Sequence, residues 1–128
     1  MLTAAGVLAL LAAAPASAHV HATADDAAQG GYAKITFRVP DEEENANTTT
    51  VQVSFPSRYP VASASTKPVP GWTAKVRTKK LDTPVKMADT TVTDAVSTIT
   101  WTASAGGAIK PNEFQEFDVS AGPLPDNT

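Results

Sequence analysis

From residue 32 onward, apolar residues fall on every second position. In "YAKITFRV" (32–39) Ala33, Ile35, Phe37 and Val39 share one parity, and Tyr32, Lys34, Thr36 and Arg38 take the other. "TTTVQVSF" (48–55) sets Val51, Val53 and Phe55 against Thr50, Gln52 and Ser54. "VSTITWTA" (96–103) sets Ile99, Trp101 and Ala103 against Thr98, Thr100 and Thr102. Successive strand side chains point to opposite faces, so such runs make strands with one apolar and one polar face. Shorter runs of the same kind are "HVHATA" (19–24), "WTAKVR" (72–77) and "EFQEFDVSA" (113–121). β-Branched residues are abundant and no apolar stripe of helical period is sustained.

Pro, Gly and polar clusters punctuate the runs: "PDEEENAN", "PSRYP", "KPVPG", "AGG" and "KPN". Short two-faced strands separated by regular turns predict an all-β chain, an antiparallel β-sandwich of immunoglobulin-like or cupredoxin-like architecture. Paired cysteines of a true immunoglobulin domain are absent, since the chain has no Cys. That absence also excludes disulfides, thiolate metal sites and cysteine nucleophiles. Trp101, on the Ile99 face, and Trp72 are expected in the core. The acidic run Asp41–Glu44 lacks the interleaved spacing of a calcium loop and is expected to be a solvated turn. Asn47-Thr48-Thr49 fits a glycosylation sequon, a pattern that carries little weight alone.

The first residues do not fit the sandwich. "AAGVLALLAAA" (4–14) is apolar but too short to span a bilayer, and "APASA" follows with Ala16 and Ala18 in small-x-small positions. Residues 1–18 are therefore expected to be a signal peptide cleaved after Ala18, although "MLTAAG" lacks the usual basic residue. Residues 19–128 form the expected domain, secreted, periplasmic or at the cell surface, with no membrane span apart from the leader. The tail "GPLPDNT" stops without a concluding strand, so the domain is expected to continue further. All ten Lys and Arg and all thirteen Asp and Glu lie beyond residue 18, and the net charge of −3 gives no nucleic-acid footprint.

Both histidines of the chain, His19 and His21, lie at this boundary. With His19 at the mature N-terminus, its α-amine and imidazole Nδ1 close one chelate ring on a metal ion. Nitrogen and oxygen donors in a tetragonal set suit Cu(II), which tops the divalent affinity order. The uncleaved precursor has no α-amine there, so cleavage would assemble the site. His21 offers two further modes. As the third residue of a free N-terminus, "HVH" can wrap Cu(II) or Ni(II) with the amine, two backbone amides and its own imidazole. That mode consumes amides a paired strand needs. Alternatively, His19 and His21 share a strand face and pinch one ion together.

Glu113 and Glu116 interrupt an aromatic run in "IKPNEFQEF" (109–117). As a strand it would send the two carboxylates to opposite faces, so one at most faces a given site. The bland alternative is a solvated strand edge. No Ser–His pattern and no Gly-rich phosphate loop is present, and the expectation is that the protein is not an enzyme. A copper oxygenase brace needs a second histidine from a distant strand, which this chain lacks.

"AHVHATADDAAQGGYAKITFRVPDEEENANTTTVQVSFP", "PVPGWTAKV", "ITWTA" and "IKPNEFQEFDVSAGPLP" together resemble the YcnI-like copper-binding domain family across the whole of residues 19–128. The resemblance implies an exported β-sandwich with a Cu(II) site built as a monohistidine brace: an N-terminal histidine's amine and imidazole, plus a glutamate. Carried over, the brace histidine is His19 and the glutamate is Glu113 or Glu116. Asn112 stands where the family commonly has glycine, a change expected to affect only the turn. The family domain usually continues into a strand carrying a tryptophan near the metal. The expected function is copper homeostasis, as a buffer or a chaperone handing the ion to a membrane copper transporter. Two alternatives compete with it: a β-sandwich adhesion or scaffolding module with incidental histidines, and a CopC-like copper-resistance protein with further His or Asp ligands.

Overall fold

The computed structural model describes residues 20–25, 31–87 and 90–124. The expected leader and His19 lie outside the described residues. Seven strands follow in chain order: β1 (His21–Asp25), β2 (Ala33–Pro40), β3 (Thr50–Ser54), β4 (Ser63–Thr66), β5 (Trp72–Met87), β6 (Thr90–Ala103) and β7 (Phe114–Gly122). They form two antiparallel sheets, one of four strands in the order β1-β2-β7-β4 and one of three in the order β3-β6-β5. The predicted sandwich is observed.

Alternation decides which side of each strand meets the other sheet. Phe37, Val39, Phe117, Val119 and Ala121 from the first sheet are buried against Val51, Val53, Ile99 and Trp101 from the second. Trp101 is 1% exposed and Phe117 is fully buried. Trp72 is half-buried rather than fully internal, its ring set edge-on to Phe117 at 5.0 Å between centroids and 78°. Burying such a side chain contributes roughly 1.5–3 kcal/mol, and the aromatic group shares the cohesion between the sheets with the buried valines and isoleucines around it.

Three features depart from the pattern. β4, "SAST", carries no β-branched apolar residue and is recruited by pairing with β7. β5 and β6 run well beyond 72–77 and 96–103, as a ribbon whose register shifts at Arg77/Thr78 and again at Lys80/Val85. Each shift breaks the period of two, and Pro84 falls in the second on an edge strand, where a missing N–H is tolerated. Asp41 is 4% exposed, unlike Glu42, Glu43 and Glu44, so the acidic run is not all solvated turn. The core-facing parity of Ile35, Phe37 and Val39 continues through it.

Candidate metal centre

β1 is an edge strand beside β2, and β2 lies beside β7. The two registers are continuous: His21 pairs with Arg38, and Arg38 pairs with Glu116. Directly opposed residues project to the same face, so an imidazole, a guanidinium and a carboxylate stand in one row on the outer face. All three residues are exposed. Strands ~4.8 Å apart put the His21 and Glu116 backbones roughly 10 Å from one another. On the opposite parity, Val20 packs against the core cluster and fixes the chain where it enters β1.

Glu113 is held differently. It closes the turn 110–113, in which its N–H donates to the Lys110 carbonyl at 3.0 Å. Pro111 occupies the second position and Asn112, with φ 67°, the third. Proline second and a left-handed residue third define a type II turn, and asparagine tolerates that conformation better than other side chains. Asn112 therefore does the work of a glycine here. The Glu113 carboxylate folds back, Oε1 accepting the Lys110 N–H at 3.2 Å. Glu113 precedes β7, so strand pleating does not set its direction. Glu116 lies within β7, and its carboxylate makes no hydrogen bond or ion pair with any described residue.

Asp41 braces this turn from the end of β2. Its N–H donates to the Glu113 carbonyl at 2.9 Å, and its carbonyl accepts the Asn112 N–H at 3.1 Å. Its side chain is committed inward: Oδ1 accepts the Glu43 N–H at 2.9 Å, and Oδ2 is buried without a protein partner. Arg38 and Asp41 are the two neighbours that sequence reasoning missed. Arg38 sits on the outward parity of its strand, but only the register between distant segments puts it beside Glu116.

Among the described residues no three His, Asp or Glu side chains gather into a metal site. His21 and Glu116 flank Arg38, and Glu113 lies in the turn that leads into β7. Imidazole nitrogen and carboxylate oxygen fit a borderline divalent ion such as copper. Further protein donors would have to come from outside the described residues.

Two sheets of four and three antiparallel strands, with this polar row on the outer face of the first, define an immunoglobulin-like β-sandwich. A crystal structure of an uncharacterized protein from Nocardia farcinica, described as immunoglobulin-like, matches it with a TM-score of 0.63 and 46% identity, covering 84% of this chain and 67% of that one. Residues 19–128 match the family described as Domain of unknown function (DUF1775), and the chain belongs to that family. It is 36% identical over 108 residues to the copper-binding protein CutI of Bacillus subtilis (strain 168). That match covers 84% of this chain and 45% of the relative, so the chain spans less than half of the relative's length. The resemblance to the YcnI-like family is borne out by both matches.

Proposed function

We propose that this protein binds copper as Cu(II), with His19 as an N-terminal residue giving its amine and Nδ1 and Glu116 giving the carboxylate. The observation that carries the reading is the continuous row from β1 to β7: the strand that follows His19 runs two places from an unengaged glutamate. The His21 and Glu116 backbones stand roughly 10 Å apart across the sheet, a span that two side chains and one ion between them can fill. The name of the Bacillus subtilis relative supports copper as the metal. Glu113 is the weaker donor because its carboxylate is engaged within its own turn.

The third-histidine mode fits less well. β1 begins at His21, opposite Arg38, and the mode would withdraw the amides of Val20 and His21 from a paired strand. The protein carries copper rather than transforming a substrate, outside the cytoplasm after removal of residues 1–18, and passes it to a membrane transporter. Mass spectrometry of the natural N-terminus, followed by copper titration of that same material, tests the proposal. It predicts a chain beginning at His19 that takes up one copper ion. A different first residue, or no stoichiometric copper, defeats it and favours the adhesion-module alternative.

A further inference from the structure

The outer face of the three-stranded sheet is a second charged surface, separate from the polar row. Its outward positions are Thr50, Gln52 and Ser54 on β3, Thr98, Thr100 and Thr102 on β6, and Thr73, Lys75 and Arg77 on β5. Lys79 follows beyond the first register shift, opposite Ala95. Lys75, Arg77 and Lys79 are exposed, and none of these positions is acidic. The acids of this sheet, Asp82 and Asp94, lie beyond Arg77 on the distal ribbon, where Asp94 is opposite Lys80. Alternate residues of a strand stand ~6.7 Å apart, so Lys75 and Arg77 are neighbours over the threonines of β6, and Lys79 extends the line past the register shift.

Guarding an edge strand against aggregation explains charge on β5. Lys80 and Lys86 already supply that, and edge protection gives no reason for the outward positions of β3 and of β6 from Thr98 to Thr102 to be free of acids. In a chain with net charge −3, three of the ten cations stand together on this face.

We infer that the outer face of the β3-β6-β5 sheet docks on an anionic lipid surface, with Lys75, Arg77 and Lys79 against headgroup phosphates and the threonine hydroxyls around them. A cationic, hydroxyl-rich plane complements such a surface, and basic residues close to an anionic bilayer each strengthen binding. No outward strand position on this face carries an aromatic ring, so nucleic-acid bases have no stacking platform there.

The test is co-sedimentation of the chain with vesicles of phosphatidylglycerol and phosphatidylcholine, beside vesicles of phosphatidylcholine alone. Lys75→Gln/Arg77→Gln/Lys79→Gln is compared with Lys34→Gln/Lys67→Gln on and beside the other sheet, after thermal melting has verified that both variants fold. The wild type and the second variant should partition onto the anionic vesicles and be released by salt. The triple variant should lose affinity by about fivefold per cation removed. Added inorganic phosphate should compete poorly, since a single ion cannot engage the whole line. Equal binding to neutral vesicles, equal binding by the triple variant, release by millimolar phosphate, or tighter retention by duplex DNA would each overturn the inference.

Discussion

The carboxylate of Glu113 accepts a hydrogen bond from the Lys110 N–H, 3.2 Å away and three residues behind it. Glu116, three residues further on, stands in the row opposite Arg38. The two glutamates of one short motif therefore have different employment, one closing a turn and one facing outward. Glu116→Gln should weaken copper binding by at least about tenfold, the weight of 1.4 kcal/mol. Glu113→Gln should change it by less than about threefold and lower the melting temperature slightly, because a side-chain to backbone hydrogen bond contributes roughly 1 kcal/mol. Competition titration against a chelator of known affinity reads both. The reverse order would transfer the ligand role to Glu113.

His21 discriminates between coordination modes. In the brace, its imidazole is a bystander on the strand that follows the metal, and His21→Ala should leave affinity within about threefold, well under the tenfold step that 1.4 kcal/mol represents. If the amides of Val20 and His21 wrap the ion, the same variant should collapse binding. A spin-resonance spectrum should report two nitrogen donors for the brace rather than four, in wild type and variant alike.

Acid should release the metal in two stages. Binding requires an unprotonated amine and imidazole, whose ordinary pKa values are roughly 8 and 6.5. Affinity is then full above the amine pKa and falls as pH drops through it. Between about pH 8 and pH 6.5 it should fall about tenfold per unit, and below that, as the imidazole also protonates, more steeply. A flat profile between pH 8 and pH 6 would remove the amine from the coordination sphere.

Much of the sandwich was legible because burial and strand period coincide in its central strands. Phe37, Val53 and Ile99 each sit on the buried parity that alternation assigned them. Legibility fails where pairing rather than burial holds the chain. β4 has no apolar periodicity to read, and the distal β5–β6 ribbon is interrupted by register shifts. At the site, His19, His21, Glu113 and Glu116 announce themselves by type and position. Asp41 does not, because three consecutive glutamates after it make the run look solvated. Separating Glu113 from Glu116 needs the turn at Asn112, and placing Arg38 between His21 and Glu116 needs two registers that no local pattern encodes.

Gly107 tests a contact that the turn signals only hint at. The breaks "PG" and "AGG" meet in space: a Cβ on Gly107 would lie 2.3 Å from the Gly71 carbonyl oxygen. That carbonyl also accepts the Ser104 N–H at 2.7 Å and cannot retreat without losing the bond. Gly107→Ala should destabilise the domain by about 2 kcal/mol, in the range of other overpacked sites. Urea denaturation measures it. Gly106→Ala is a poor control, because Gly106 has φ 88° and is strained by any side chain despite open space around it.

The measurement that goes most directly to the central claim compares copper affinity of two forms of the protein. One begins at His19; the other carries a single extra residue before it, which turns the α-amine into an amide and leaves every side chain in place. The brace predicts that the extended form loses at least about a hundredfold in affinity, two of the tenfold steps that 1.4 kcal/mol each represents. Equal affinity in the two forms would contradict it.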